Sequence, residues 1–437
     1  VANVSGPALR ERLAALWEHL GLTRAHVATQ MPGDVADFAA AMPGRIGGMV
    51  LVVPTRLDPA PFDKVGGRLL TICGSHGLTT EVTARAVGRL QGARRLVLEN
   101  YDAPGWADVV ADRTDAIVEA MIGFLEAHPA DSPGTRARTG THAGITWRIE
   151  GEGPALVLLP FFLAPSQWAP AVSRFANRFS VITLGGPHLG GVAILEDRAN
   201  APTYRAMVRA LIDLMDPRPG EAILDVGAGS GALDRLVAGW RPGNPVTAVD
   251  TNAFLLSEGA ALARAEGLGD RISFEKANAE RLPFADATFG CAFSVTVLEE
   301  CDADLALREM MRVVKPGGRI GVIVRSIDLP QWWHVAPPEG LAGRMAEPPQ
   351  SVGGKGVADA GLYRRARAAG LADLVCFPAL VTLDNPAGPI WRYREDHLTA
   401  QLTAEETRAW RAARDLAADE GLLFMAHPMH CVVGRKP

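Results

Sequence analysis

The chain predicts an α/β protein made of two strand–helix series, and three observations carry that reading. Short apolar, β-branched runs alternate with helical stretches over residues 25–128, and again from about 200 to 326. A Pro-, Gly-, Ser- and Thr-rich stretch, 129–144, reads as a linker or exposed loop. The 437 residues allow two or three domains at roughly 100–200 residues each. Strands that alternate with helices imply parallel sheets with helices on their faces.

In chain order, residues 7–20 have helical spacing and 25–29 (AHVAT) form a short apolar strand. An alanine-rich helix, 33–42, and a buried strand, 47–54, follow. Then come a strand over 67–73, a helix over 81–91, a strand over 94–100 and a long helix over 107–128. After the linker, strands are expected at 145–151, 155–161 and 179–186. The second series runs to about residue 326, and the last part mixes helices with a final strand, 430–435.

Composition narrows the function classes. Hydrophobic residues make up 48% and charged residues 21%, enough for packed cores. The 44 basic and 49 acidic side chains are interspersed and give a net charge of −5, so neither nucleic acid nor an anionic membrane is expected as a partner. Five cysteines, at 73, 291, 301, 376 and 431, show no C-x-x-C pair; neither a disulfide framework nor a metal site is expected, and a reducing cytoplasm fits. His427 and His430 are spaced by three without a third ligand in register, so they read as core or solvated histidines. Residues 1–16 lack a basic start followed by an apolar stretch, so no signal peptide is expected. The most apolar run, 154–165, is too short to span a bilayer.

The segment ILDVGAGSG, 223–231, is a strand running into a glycine loop, with a helix expected from about Ala232. Gly227, Gly229 and Gly231 remove Cβ atoms where a ligand must lie against the backbone. A dinucleotide fold wants G-x-G-x-x-G, with the pyrophosphate on the helix N-terminus. Here the spacing is G-x-G-x-G, with Asp225 two residues ahead of it. An acid there repels a pyrophosphate and suits a cationic ligand end, such as an amino group. Asp250 closes the next strand, 244–252, where a carboxylate can accept hydrogen bonds from both hydroxyls of a ribose.

Three later motifs complete the set: Asn278-Ala279-Glu280 before Leu-Pro-Phe, the strand 291–300, and a helix, Lys-Pro-Gly-Gly turn and strand over 306–324. With these in order over about 120 residues, the segment 203–326 resembles the class I S-adenosylmethionine-dependent methyltransferases, particularly the small-molecule kind that includes quinone-biosynthesis enzymes. The resemblance implies a Rossmann-like sheet over 196–437, with S-adenosyl-L-methionine as cofactor and S-adenosyl-L-homocysteine as product. It places Gly227, Gly229 and Gly231 along the methionine and ribose, Asp225 near the amine, and Asp250 on the ribose with Thr251 and Asn252 beside the adenosine. Asn278 and Ala279 would read the adenine edge, where family members often carry Asp at the first of these positions. Ser294 and Val295 would line the methionine end through backbone groups. The family often ends its "leH" motif on histidine, where this chain has Glu300 after Leu298-Glu299, so no catalytic histidine carries over.

Methyl transfer needs chiefly alignment; a base matters for phenols, alcohols or carbon acids. The segment 325–338 follows the fifth strand and contains Asp328, Trp332, Trp333 and His334. The tryptophans read either as an aromatic wall for a small-molecule acceptor or as a lid packed on the core. Asp328 and His334 are the local acid/base candidates. Whether the acceptor atom is O, N, S or C is open.

The stretch 20–54 resembles the nucleophile-elbow region of α/β-hydrolases. The serine position there holds Gln30, the Asp position falls near Gly77, and the His position near Ala103. No nucleophile relay survives. Residues 145–191 resemble the opening of a hydrolase, with Pro160-Phe161 in place of its oxyanion turn. The halves 1–130 and 140–195 thus stand in swapped order. A circular permutation explains this, as would halves of two copies. A degenerate hydrolase-like module over 1–195 is expected to act in dimerisation or in covering the acceptor site. The competing readings are a hydrolase or lyase using Thr29, His76 or Asp102, and a non-catalytic protein that only binds S-adenosylmethionine.

Overall fold

A computed structural model describes residues 7–54, 57–76, 78–101, 109–162, 164–350, 352–386 and 388–437. The chain divides into two compact units, Val1–Ala193 and Ile194–Pro437.

The first unit is an eight-stranded sheet. Its elements are α1 (Leu9–His19), β1 (Ala25–Thr29), α2 (Gly33–Ala41), β2 (Ile46–Val52), β3 (Leu69–Gly74), α3 (Leu78–Val87), β4 (Arg94–Leu98), α4 (Val109–Asp112) and α5 (Thr114–Leu125). Then come β5 (Thr139–His142), β6 (Ile145–Glu150), β7 (Ala155–Leu158), α6 (Ala169–Phe175) and β8 (Ser180–Gly185). The strand order is β4-β3-β2-β1-β7-β8-β6-β5. From β4 through β8 all neighbours are parallel; β6 and β5 add an antiparallel edge. β1 and β2 are buried along their whole length, as the apolar runs predict for strands covered on both faces. Chain order and spatial order differ: the strands after residue 139 extend the sheet beside β1, the first strand of the chain.

Two expectations change here. The stretch 129–144 is not all linker, because β5 pairs with β6 across a turn in which Ala143 and Gly144 have φ of +52° and +77°. The helix expected over 107–128 is broken: Arg113 leaves helical geometry (φ −136°, ψ 37°) between α4 and α5, and 107–108 lie outside the described residues.

The unit boundary falls within α7 (Gly190–Asn200). The second unit continues with α8 (Pro202–Met215), β9 (Ile223–Val226), α9 (Ala232–Trp240), β10 (Val246–Asp250), α10 (Ala253–Ala265), β11 (Ile272–Lys276), β12 (Phe289–Val295), α11 (Ala303–Val313) and β13 (Val314–Arg325). β14 (Trp332–Trp333), α12 (Ala342–Ala346), α13 (Gly361–Ala368), β15 (Ala372–Leu383), α14 (Pro389–Thr399), α15 (Ala404–Asp419) and β16 (Met425–Arg435) complete it. The order is β11-β10-β9-β12-β13-β16-β14, with β15 also paired to β16. β9–β13 are parallel and β16 runs against β13. The Lys-Pro-Gly-Gly segment is a bulge at the start of β13: Phe289 faces Val314, yet Cys291 faces Arg319. Core clusters cover both faces of the sheet. β15, a twelve-residue strand, lies in the last part, where helices mixed with one final strand are expected.

The paired tryptophans divide. β14 runs antiparallel to β16, with Trp332 opposite Ala426 and Trp333 opposite Met425. A strand sends successive side chains to opposite faces, so Trp332 is 53% exposed and Trp333 only 4%. Trp333 packs edge-on against Trp391 and Trp410, and its indole N–H donates to the Met345 carbonyl. That corrects the aromatic wall: Trp333 is core, with both faces in protein. Trp333→Ala is expected to destabilise the fold by about 3–5 kcal/mol, against under about 1 kcal/mol for Trp332→Ala. Urea denaturation of the two variants checks this; equal losses would contradict the inside–outside split.

Candidate functional site

The carboxyl ends of β9, β10 and β12 gather the glycine loop, Asp225 and Asp250. Gly227, Gly229 and Gly231 have φ of +88°, +57° and +68°. At Gly227 a Cβ would lie 2.1 Å from a Val297 methyl, so the loop requires glycine there for space as well as for backbone angle. The N–H groups of Gly227 and Ala228 both donate to the Val249 carbonyl, at 2.8 and 2.9 Å. The Asp250 carboxylate accepts the Gly229 N–H at 2.9 Å on Oδ2 and the Asn252 N–H at 2.8 Å on Oδ1. Each oxygen keeps a further lone pair for another donor.

A cavity opens beside this loop, lined by Leu195, Arg198, Asp225, Gly227, Leu233 and Val295 among others. An acid and a guanidinium thus face one small space. α7 is strapped over the loop: Glu196 accepts from Ser230 Oγ (2.8 Å) and from Arg235 Nη2 (2.5 Å), and Leu195 lies against Gly229. Arg198 donates to Thr296 Oγ1 at 2.8 Å and covers the Tyr204 ring at 5.2 Å.

Asp225 has a buried acidic neighbour, Asp234 on α9; they are 2% and 0% exposed. Burial raises the Asp225 carboxyl well above the ordinary carboxylate range, and the charges of Asp234 and Asp250 raise it further. Burial also raises Asp234, to about 7, against the lowering effect of a hydrogen bond from Asp225. The pair therefore shares a proton near neutral pH, because two carboxylates so buried cannot both ionise cheaply.

Of the predicted contacts, Asp225, Gly227 and Val295 meet on the cavity, with Gly229 and Asp250 tied to its rim. The remaining ones do other local work. Asn252 caps α10, accepting the Phe254 and Leu255 N–H groups, and Thr251 beside it is exposed. Asn278 Oδ1 accepts the Glu280 N–H, and Ala279 is 9% exposed in the core. Ser294 Oγ is buried and donates to the Val226 carbonyl at 2.7 Å. Gly231 begins α9.

Asp328 and His334 stand apart from the cavity, and from each other in partners. Burial disfavours ionised Asp328, but hydrogen bonds from His430 Nε2 (2.7 Å), Ser326 Oγ and the Ala360 N–H outweigh it and hold the carboxyl at about 2. A carboxylate that acidic is a weak base. His430 Nδ1 bonds the Tyr363 hydroxyl at 2.8 Å, which ties α13 to β16. His334 stacks on Phe424, with Nδ1 2.7 Å from the Leu422 carbonyl.

In the first unit, Thr29 is buried and its hydroxyl exchanges hydrogen bonds with the Met31 backbone. Gln30 is 3% exposed and its Oε1 accepts the Phe162 N–H at 3.1 Å. His76 is exposed and bonds its neighbour Ser75. Thr29 and His76 therefore have separate partners; Gly77, Asp102 and Ala103 lie outside the described residues.

Residues 224–322 match the methyltransferase domain family. In that segment the chain is similar to the class I S-adenosylmethionine-dependent methyltransferases. The ubiquinone/menaquinone biosynthesis C-methyltransferase UbiE of Hahella chejuensis is 38% identical over 135 residues, 30% of this chain and 53% of the relative. The Legionella pneumophila UbiE is 40% identical over 132 residues, 30% of this chain and 52% of its own. The chain thus spans about half the length of the relatives it matches. Among solved structures, the YcgJ protein from Bacillus covers 53% of this chain and 98% of its own at 18% identity, with a TM-score of 0.38, too loose to add to that.

Sequence reasoning missed Arg198 and Asp234 in the second unit. Arg198 reads as one charge among several in an ordinary polar helix. Asp234 had a signal: it lies one position from Leu233, on a helix whose first turn follows the glycine loop. The acid pair makes a pH prediction. The folded state keeps the Asp234 proton up to about pH 7, whereas the unfolded chain releases it near 4. Folding stability from this source is complete below about pH 4 and is lost as pH rises through 7. Asp234→Asn should therefore gain stability relative to the parent between pH 5 and 8, read as a melting-temperature difference that grows with pH. A difference that stays constant across that range would contradict the shared proton.

Proposed function

We propose that the second unit transfers a methyl group from S-adenosylmethionine to a small-molecule acceptor. The observation that carries this reading is the opposed pair Arg198 and Asp225 on one cavity beside the left-handed glycine loop. A free α-amino acid end carries one ammonium and one carboxylate, and those two residues complement both. The loop adds a backbone surface that a Cβ would fill, and the spare lone pairs of Asp250 suit two vicinal hydroxyls. Bound there, S-adenosylmethionine would supply an electrophilic methyl group on its sulfonium. The chain's own task is to hold donor and acceptor in line and keep water out. Asp328 and His334 do not line this cavity, so neither is placed to serve as a base there. The UbiE relatives are named C-methyltransferases, and a carbon acceptor is the reading they support.

For the first unit we propose a hydrolase-like sheet in permuted order that has no nucleophile and serves a structural role, as a dimerisation surface or a cover for the acceptor. The amide oxygen of Gln30 takes the Phe162 N–H that an oxyanion would need. Hydrolysis of p-nitrophenyl acetate at the rate of the buffer control is expected; turnover abolished by Thr29→Val would overturn the proposal.

Titration calorimetry with S-adenosylhomocysteine tests the cofactor site. Asp250→Ala is expected to weaken binding by about 1.5–3 kcal/mol for each charge-assisted bond lost, and Arg198→Met by a similar amount. Thermal unfolding of the same variants separates lost contacts from a loosened loop. Unchanged affinity in both variants would place the cofactor elsewhere.

A further inference from the structure

Beyond the cofactor cavity, the α8-facing side of the sheet carries a buried cluster of cations. In a sheet, paired residues project to the same face. Asp225 pairs with Phe293, and Arg325 with Met429; Phe293 and Met429 both belong to the core on the α8 side. His427 is two residues from Met429 on β16, so it shares that face. Arg325, Arg198 and Arg394 of α14 all exert their positive charge on His427.

Two of the three guanidiniums face carboxylates: Arg325 has Glu299 and, at 3.8 Å, Glu300, and Arg198 shares its cavity with Asp225; Arg394 does not. Glu299 is 2% exposed and is committed to Arg325, accepting from Nε at 2.7 Å and from the backbone N–H. Arg198 has a neutral hydrogen-bond partner in Thr296. Arg394 is 4% exposed; Nη1 donates to the neutral amide oxygen of Gln331 at 2.9 Å, and Nε has no partner among the described residues. His427 is 5% exposed, and its Nδ1 likewise has no partner among them. Burial first, and then the Arg394, Arg198 and Arg325 charges, push its pKa well below the ordinary value, so the ring is neutral. A buried guanidinium with only a neutral partner is costly, and so is each unpaired polar nitrogen.

Position links the cluster to the acceptor side. Gln331, the partner of Arg394, lies in the segment that leaves the carboxyl end of β13, where open α/β sheets bind their ligands. Arg198 lines the cofactor cavity itself.

We propose that the methyl acceptor is an organic anion, and that Arg394, with Arg198 and neutral His427, seats its anionic oxygen group. The seat deepens the methyltransferase reading and rests on it. A carboxylate or a phosphate ester would satisfy the Arg394 Nε, beside an imidazole that adds no charge of its own. Arg198 then stands between two anions, the carboxylate of the cofactor and that of the acceptor, and draws the acceptor towards the methyl donor.

The test titrates the full chain with benzoate, phenyl phosphate and the neutral isostere benzamide, with and without saturating S-adenosylhomocysteine. At least one anion is expected to bind ten-fold or more tightly than benzamide; which one wins tells carboxylate from phosphate. Arg394→Met should erase that preference while leaving S-adenosylhomocysteine affinity within two-fold, and its melting temperature should hold or rise, because a buried cation with only a neutral partner has been removed. Arg394→Lys should keep part of the preference. Anions no better than benzamide, no binding of any of the three at millimolar concentration, or a preference that survives Arg394→Met would each overturn the proposal. A fall in melting temperature on Arg394→Met with the preference intact would make Arg394 a structural anchor for Gln331. Failure of S-adenosylhomocysteine to bind, with the anion preference intact, would sink the cofactor reading alone.

Discussion

Two hydrogen bonds to one carboxylate join the strand tips on which the second unit depends. Asp250 holds the Gly229 N–H from the glycine loop and the Asn252 N–H from its own turn. The first bond ties the end of β9 to the end of β10, and the second sets the entry to α10, whose cap is Asn252. A loop of three left-handed glycines has high conformational entropy when free. Pinning it by a charged acceptor on one side and the Val249 carbonyl on the other fixes its open amide surface without any ligand. The neighbouring cavity inherits its shape from that arrangement, and Val297 and Leu195 close around the positions where glycine leaves room.

Buried charge is the second constraint. The same sheet face holds an acid pair, Asp225 and Asp234, and a group of guanidiniums around His427. Each set lowers its own cost differently: the acids by sharing a proton, the histidine by staying neutral. Arg198 lies between them, acting on Asp225 and on His427 alike. Replacing such groups by apolar side chains would commonly stabilise a fold. Their retention at strand ends, where ligands bind, fits sites that give up stability for recognition.

What could be read from sequence followed from how local the signal was. The glycine loop, the strand before it and Asp250 lie within contiguous motifs, and β1 was bounded to the residue because AHVAT is apolar and flanked by polar turns. Arg198, Arg394 and His427 come from α7, α14 and β16, and only the tertiary fold brings them to one face. No spacing rule reaches across such separations. β5 was missed because TGTH is polar: it is an edge strand with half of its residues exposed, so it lacks the apolar alternation that betrays covered strands. The two tryptophans stayed open between an aromatic wall and a lid packed on the core. Adjacency suggested a common surface, whereas the strand period of two puts them on opposite faces.

The same distinction between chain order and packing order governs the first unit. β1 opens the chain's sheet yet sits at its centre, between β2 and β7, although 125 residues separate β1 from β7. Parallel pairing asks only that neighbouring strands present apolar faces and free backbone groups in register, so a sheet can be cut and rejoined without losing its core. The centre of such a sheet is where a hydrolase would expose a nucleophile at the strand end. Here the strand end turns inward on itself: Thr29 bonds the Met31 backbone, and Gln30 bonds the Phe162 N–H from the loop after β7. The Phe162 N–H is thereby satisfied by a neutral amide oxygen. A buried polar group that satisfies its neighbour in this way adds stability to the strand end.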